Sequence, residues 1–194
     1  MKITLTKEQM LKRLRSVGGL EPLRTDCTVD VTEGVDVNAA IEPVLRARYL
    51  TLLDSGDRSA VAPDNISAMT TAKSMADSVI GAYVVVTMPA VCRRVFDFKL
   101  RNWLVPVTVL PASEFDKVMA LQKNPFTAAS PSQPCAVALP GALAGTAPQI
   151  MAWPGAAAPQ VELAVAALDP GEDYYTLDEA ALGNFLAEVK NIIF

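Results

Sequence analysis

Histidine is absent from the 194 residues of this chain. Every mechanism that uses imidazole as base, nucleophile or metal ligand goes with it. Cysteine is scarce: Cys27, Cys92 and Cys135 form neither a Cys-x-x-Cys pair nor an even-numbered framework. That pattern suits a reducing compartment and small buried side chains. Positive charge is in short supply, with 17 Lys plus Arg against 21 Asp plus Glu and a net charge of −4. A globally basic surface for nucleic acid is therefore excluded. Long apolar runs are missing too. The best candidate for a membrane span, Ser78 to Cys92, has 15 residues and includes Thr87 and Pro89, short of the roughly 20 that a bilayer requires. The N-terminus carries Lys2, Lys7 and Glu8 and no apolar leader core, so no signal peptide is expected. The expectation is a soluble protein made in a cytoplasm, with no membrane partner.

The most conspicuous absence is local. Residues 124–161 are 38 consecutive positions without a charge, holding seven of the 14 prolines and eleven alanines. The prolines rule out a continuous spanning helix. With 51% apolar residues overall, disorder does not fit either. The uncharged stretch reads as extended segments and a small sheet whose outer face meets other protein, since a free surface normally carries solvating charge.

Thr6 is placed to cap a helix over Lys7–Val17, with Gln9 as its capping-box partner and Gly18-Gly19 as its end. Ile41, Val44, Leu45, Leu52 and Leu53 predict a second helix of about 14 residues, with Pro43 in its first turn. Asp54-Ser55-Gly56-Asp57 breaks it. Ile66, Met69, Lys73, Ala76, Val79, Ile80 and Tyr83 predict a third helix from Pro63 toward Val86. The β-branched Val84-Val85-Val86 leaves strand open at its end. Trp103, Val105, Val107 and Val109 alternate as a strand that Pro106 kinks or places at an edge. A short helix follows from Pro111 to about Gln122. Cys135–Leu139, Gln149–Trp153 and Val161–Ala167 read as three short antiparallel strands, separated by Pro140-Gly141 and Pro154-Gly155. Thr176, with Glu179, is expected to cap a last helix carrying Leu177, Ala181, Phe185 and Val189. The fold class is thus α+β: an N-terminal helical bundle, a small antiparallel β-sheet and a C-terminal helix. The expected divisions are a mainly helical 1–123, the uncharged 124–170, and a helix and tail at 171–194.

Chemistry is hard to find in this pattern. There is no glycine-rich phosphate loop. Ser74 adjoins Lys73, but neighbours on a helix do not face each other. Cys92 before Arg93-Arg94 is either a thiol with depressed pKa or a buried small residue beside surface arginines. Asp169, Glu172 and Asp173 crowd one loop without EF-hand spacing, so a solvated acidic loop is the simpler reading than a cation site. Arg93, Arg94, Lys99 and Arg101 interleave with Phe96, Phe98 and Trp103. That arrangement suits an ordinary strand better than a stacking platform for single strands. No metal, cofactor or catalytic residue is expected. Residues 1–24 carry six basic and two acidic side chains, and then Asp26, Asp30, Glu33, Asp36 and Glu42 reverse the sign. These are either solvated faces or a surface that mates with the opposite pattern on a neighbouring copy.

A series of short motifs runs from Met88-Pro89-Ala90-Val91-Cys92-Arg93-Arg94-Val95 through Trp103–Pro111 and Leu121-Gln122-Lys123-Asn124-Pro125-Phe126. It continues with Gln133-Pro134-Cys135-Ala136-Val137, Ile150-Met151-Ala152-Trp153-Pro154 and Val161-Glu162-Leu163 up to Pro170. This order resembles the head-to-tail adaptor (ring or connector) proteins of tailed bacteriophages, of crAss-like and podovirus type. It covers a little under half the chain. Trp153-Pro154 stands where such proteins often have Tyr-Pro, and Ala166-Ala167 departs from an expected aromatic.

The resemblance implies a non-enzymatic structural virion protein at the head–tail junction. It would form a homo-oligomeric ring of twelve copies that docks on the portal protein and receives the next tail or ring protein. DNA would pass its lumen without sequence recognition. Expected partner-binding residues are Lys7, Lys12, Arg13 and Arg15 on the first helix, Trp153, and Tyr174, Tyr175, Phe185, Ile192, Ile193 and Phe194 in the C-terminal segment. The alternatives are another tail-completion or capsid-decorating protein, or a small-molecule or metal-binding enzyme domain.

Overall fold

The structure, a computed structural model, describes residues 1–19, 37–139 and 147–193. In chain order its elements are β1 (Lys2–Thr6), α1 (Lys7–Gly18), α2 (Val37–Ser55), α3 (Arg58–Val61), β2 (Asp64–Asn65), β3 (Thr71–Asp77), β4 (Gly81–Thr87) and β5 (Cys92–Leu100). They continue with β6 (Val107–Thr108), α4 (Phe115–Gln122), β7 (Cys135–Ala138), β8 (Gln149–Trp153), β9 (Val161–Leu168), β10 (Tyr174–Asp178) and α5 (Glu179–Ile193). The chain divides into two compact units, Met1–Ala62 with Asp169–Phe194, and Pro63–Leu168.

In the first unit β1 pairs antiparallel with β10, Ile3 opposite Leu177 and Leu5 opposite Tyr175. The strand passes directly into α1 at the expected capping box. The Thr6 side chain accepts from the Gln9 amide at 3.3 Å, and the Gln9 side chain accepts from the Thr6 amide at 3.0 Å. Met10, Leu11 and Leu14 turn inward. Gly19, with φ of 70°, closes the helix in a left-handed cap that a side chain would strain. Helix α2 buries Ile41, Leu45, Tyr49 and Leu53, four residues apart each time. It starts at Val37, so Pro43 lies inside it and not in the expected first turn. Helix α5 packs on α1 and α2 through a stripe that includes Leu182, Phe185, Leu186 and Val189. Its start differs from expectation. Thr176 and Leu177 belong to β10, and Asp178 accepts the Ala180 amide at 2.9 Å. The short β1–β10 ladder claims the residues that local spacing assigned to a cap.

The second unit corrects the expected architecture most. Among the described residues the molecule has ten strands in three sheets beside its five α-helices. The N-terminal helical bundle with one small sheet is overturned. Residues expected as a helix from Pro63 instead form β2, a short 3-10 turn and the hairpin β3–β4, with Thr71 opposite Thr87 and Asp77 opposite Gly81. Apolar residues at helical spacing in 66–83 also fit alternating strand faces, and the valines of β4 complete a sheet partner that spacing alone does not reveal. The three expected late strands exist, but they do not form one sheet. β8 lies between β4 and β7, whereas β9 pairs with β5 and β2 in another sheet.

The sheets β2-β9-β5-β6 and β3-β4-β8-β7 share a core containing Val84, Val86, Phe98, Leu100, Ile150, Ala152, Ala164 and Ala166. On the other face of the second sheet, Val137, Met151 and Trp153 pack with Val118 of α4. Strand β8 is therefore covered on both sides, and Ile150 to Trp153 are all buried. Within 124–161, burial inside the chain accounts for the missing charge of β8. The turn at Pro154-Gly155 fits tightly. A Cβ on Gly155 would lie 2.7 Å from the Tyr83 amide nitrogen.

Candidate protein-contact site

What the charge-free stretch does expose is concentrated after α4. The buried Gln122 accepts the Ala129 amide at 2.9 Å through its side-chain oxygen, which ties the loop back to the helix. Asn124 organises the turn between them. Its side-chain oxygen accepts the Phe126 amide at 3.0 Å, and its carbonyl accepts the amides of Thr127 at 3.0 Å and Ala128 at 2.8 Å. The Thr127 hydroxyl donates to the Leu121 carbonyl at 2.8 Å. Pro125 restricts the backbone further. At the apex Phe126 is 96% exposed. Leu121 is exposed at the end of α4, and Val79, in the β3–β4 turn, lines a shallow hollow with Pro125, Ala128 and Pro154. Leu104, 72% exposed, donates its amide to the Pro131 carbonyl at 2.8 Å.

Burying one phenylalanine side chain is worth roughly 1.5–3 kcal/mol, and an aromatic presented on an ordered turn gives up little conformational entropy when covered. The arrangement can make apolar contact with another protein. Asn124-Pro125-Phe126 is legible as a motif in the sequence, but Phe126 is not among the expected contact residues. The available signal was a bulky aromatic between a proline and polar turn residues, with no amphipathic partner.

The expected contact residues are distributed differently. Lys12 and Arg13 are exposed on α1, while Arg15 is half-buried. Lys7 is tied to Glu42 at 2.8 Å, with Asp173 at 4.0 Å. Its pKa is raised, first by the Glu42 hydrogen bond. Tyr174 and Ile192 are exposed and Ile193 is half-buried. Trp153, Tyr175 and Phe185 are core residues: Trp153 packs on Tyr83 with ring centroids 5.8 Å apart, and Tyr49 touches both Tyr175 and Phe185. Phe194, Cys27, the acidic positions Asp26, Asp30, Glu33 and Asp36, and the Pro140-Gly141 turn lie outside the described residues.

In the first unit a polar cluster centres on Arg46, which grips Asp169 and lies over the rings of Tyr49 and Tyr175, 5.5 and 6.0 Å from their centroids. Burial pushes the Tyr49 phenol up to about 12, against the opposing effect of its bond to Thr176. It is consequently protonated at neutral pH and serves as a fastener, not a base. Asp169 also accepts the Gly171 amide at 3.0 Å, so this carboxylate of the acidic loop is engaged. Among the described residues no group of three Asp, Glu or Cys side chains is placed to hold a metal ion.

The basic stretch belongs to β5 and its end. Lys99 pairs with Glu162 at 2.7 Å, Arg101 with Gln160 at 2.8 Å, and Arg94 lies 4.8 Å over the Phe96 ring. Phe96, Phe98 and Trp103 are buried and present no stacking platform. Cys92 is buried as well. Desolvation pushes its thiol up to about 12, which removes the reading of an activated thiolate. No helix among the described residues is long and apolar enough to cross a membrane. Comparison with protein-family models, curated proteins and solved structures finds no match.

Proposed function

We propose that the chain is a structural virion protein that assembles into a ring between portal and tail and lets DNA pass without sequence recognition. The observation that carries a contact role is Phe126, displayed on a hydrogen-bonded turn within the Asn124-Pro125-Phe126 motif of the adaptor resemblance. In the assembly this ring is covered by another subunit. Leu104, Leu121 and Val79 extend the exposed apolar surface of the same unit. Free passage of DNA agrees with a net charge of −4 and with Lys99 and Arg101 being engaged by neighbours in the chain, because phosphate binding requires clustered available cations.

Electron-microscopy class averages of the purified chain mixed with portal protein test this. Twelve-fold rings that dock on the portal are expected. A monodisperse monomer that does not bind portal overturns the proposal. Phe126→Asp is expected to abolish ring formation or docking while the thermal melt of the chain is unchanged. Normal assembly of that variant removes Phe126 from the contact.

A further inference from the structure

Most sheet edges in this molecule are short or covered. β2 and β6 have two residues each. The free side of β7 is bridged by Leu110, which bonds to Ala136 and Ala138 at 2.9 Å. On β10 the Tyr49 hydroxyl donates to the Thr176 carbonyl and accepts its amide. β3 is different. It is the longest edge strand, seven residues in continuous register with β4 and without proline or bulge. Among the described residues it has no other strand neighbour. Such an edge offers a row of backbone donors and acceptors to another chain.

We propose that β3 pairs antiparallel with β3 of a second copy, about a two-fold axis at Met75. The two strands then join the sheets of two molecules into one. The side chains select this register. Thr71, Lys73, Met75 and Asp77 are exposed on one face, while Ala72 packs into the core beneath the other. Opposed residues must share a face, so only whole-residue centres are allowed. Centring on 73 sets Lys73 against its own copy, and centring on 74 sets Lys73 against Met75. Centring on 75 sets Lys73 against Asp77 of the second copy twice, with the two Met75 side chains in contact between the pairs. Opposite charges directly across a ladder stabilise it and like charges oppose it. Asp77 is held in place for this role, because one of its oxygens accepts the amides of Val79 at 2.7 Å and Ile80 at 3.1 Å. Its other oxygen remains for the lysine. This two-fold contact goes beyond the ring reading, whose neighbours meet head to tail.

Sedimentation of the full chain at micromolar concentration is the test. A dimer is expected, and Lys73→Glu, which faces Asp77 with a like charge, raises its dissociation constant about tenfold or more. Circular dichroism confirms that the variant is folded. Independently, Met75→Cys in a chain carrying Cys27→Ser and Cys135→Ser is expected to give a disulfide-linked dimer under mild oxidation. A monomeric wild-type chain overturns the proposal. So does a dimer that neither weakens with Lys73→Glu nor cross-links through position 75. Rings that form equally well with Lys73→Glu, and with no cross-link, overturn the β3 pairing and leave the ring proposal standing.

Discussion

Arg46 grips Asp169 from 123 residues away, with one guanidinium nitrogen 2.7 and 2.6 Å from the two carboxylate oxygens. Both side chains are about one-fifth exposed, so the pair is screened less than a surface bridge. Removing one partner leaves the other partly desolvated. Asp169→Ala is expected to lower the unfolding free energy by about 2 kcal/mol. Urea denaturation of the variant against the parent measures it, and a change within 0.5 kcal/mol of zero, roughly the scatter of surface substitutions, contradicts a structural pair.

The Tyr49 hydroxyl bonds to both backbone groups of Thr176, at 3.0 and 3.2 Å. Tyr49→Phe leaves that amide and carbonyl without their partner and is expected to cost about 1–2 kcal/mol. Hydrogen exchange should accelerate at the Thr176 amide more than at amides of β4.

The same phenol makes stability depend on alkaline pH. Its pKa rises from 10.0 to about 12 on folding, mainly through burial. Below pH 10 the phenol is protonated in both states and has no effect. Between pH 10 and 12 the unfolded chain ionises first, so fewer protons are bound unfolded than folded and stability falls as pH rises. Melting curves across that range should show a smaller decline for Tyr49→Phe than for the parent. An equal decline assigns the effect to other groups.

Cys92 is expected to resist alkylation in the native chain, since burial pushes its thiol up to about 12. Iodoacetamide at pH 8 followed by peptide mass analysis should leave Cys92 unmodified until denaturant is added. Rapid native labelling would contradict the buried position.

Gly155 admits no side chain without movement, because a Cβ would meet the amide nitrogen, carbonyl carbon and Cα of Tyr83 at 2.7–2.8 Å. Gly155→Ala is expected to destabilise by about 2 kcal/mol or more, the ordinary scale for overpacking against rigid backbone. Thermal unfolding measures the loss, and an unchanged midpoint refutes the close approach.

What was legible from sequence was local. The Thr6–Gln9 box and Gly19 define α1 because every interaction involved spans one turn of chain. Gly56 and Asp57 end α2, and the apolar runs of β7, β8 and β9 stand out between their turn residues. The exposed turn was half visible: Asn124-Pro125-Phe126 could be read, but not that Phe126 stays uncovered while Trp153 enters the core. Burial depends on what packs above a residue, and neighbours distant in sequence decide that.

The sequence by itself determined the cap that starts α1 and the breaks at Gly56 and Pro154, that the chain holds no imidazole, and that residues 124–161 lack solvating charge. Tertiary structure decided which strands pair, turning an expected helix into the β3–β4 hairpin, placing β9 beside β5, and burying β8 on both faces. The reason is physical. Capping and turn preferences are settled by groups a few residues apart, whereas a strand becomes stable only when a ladder partner and a covering layer arrive from elsewhere in the chain.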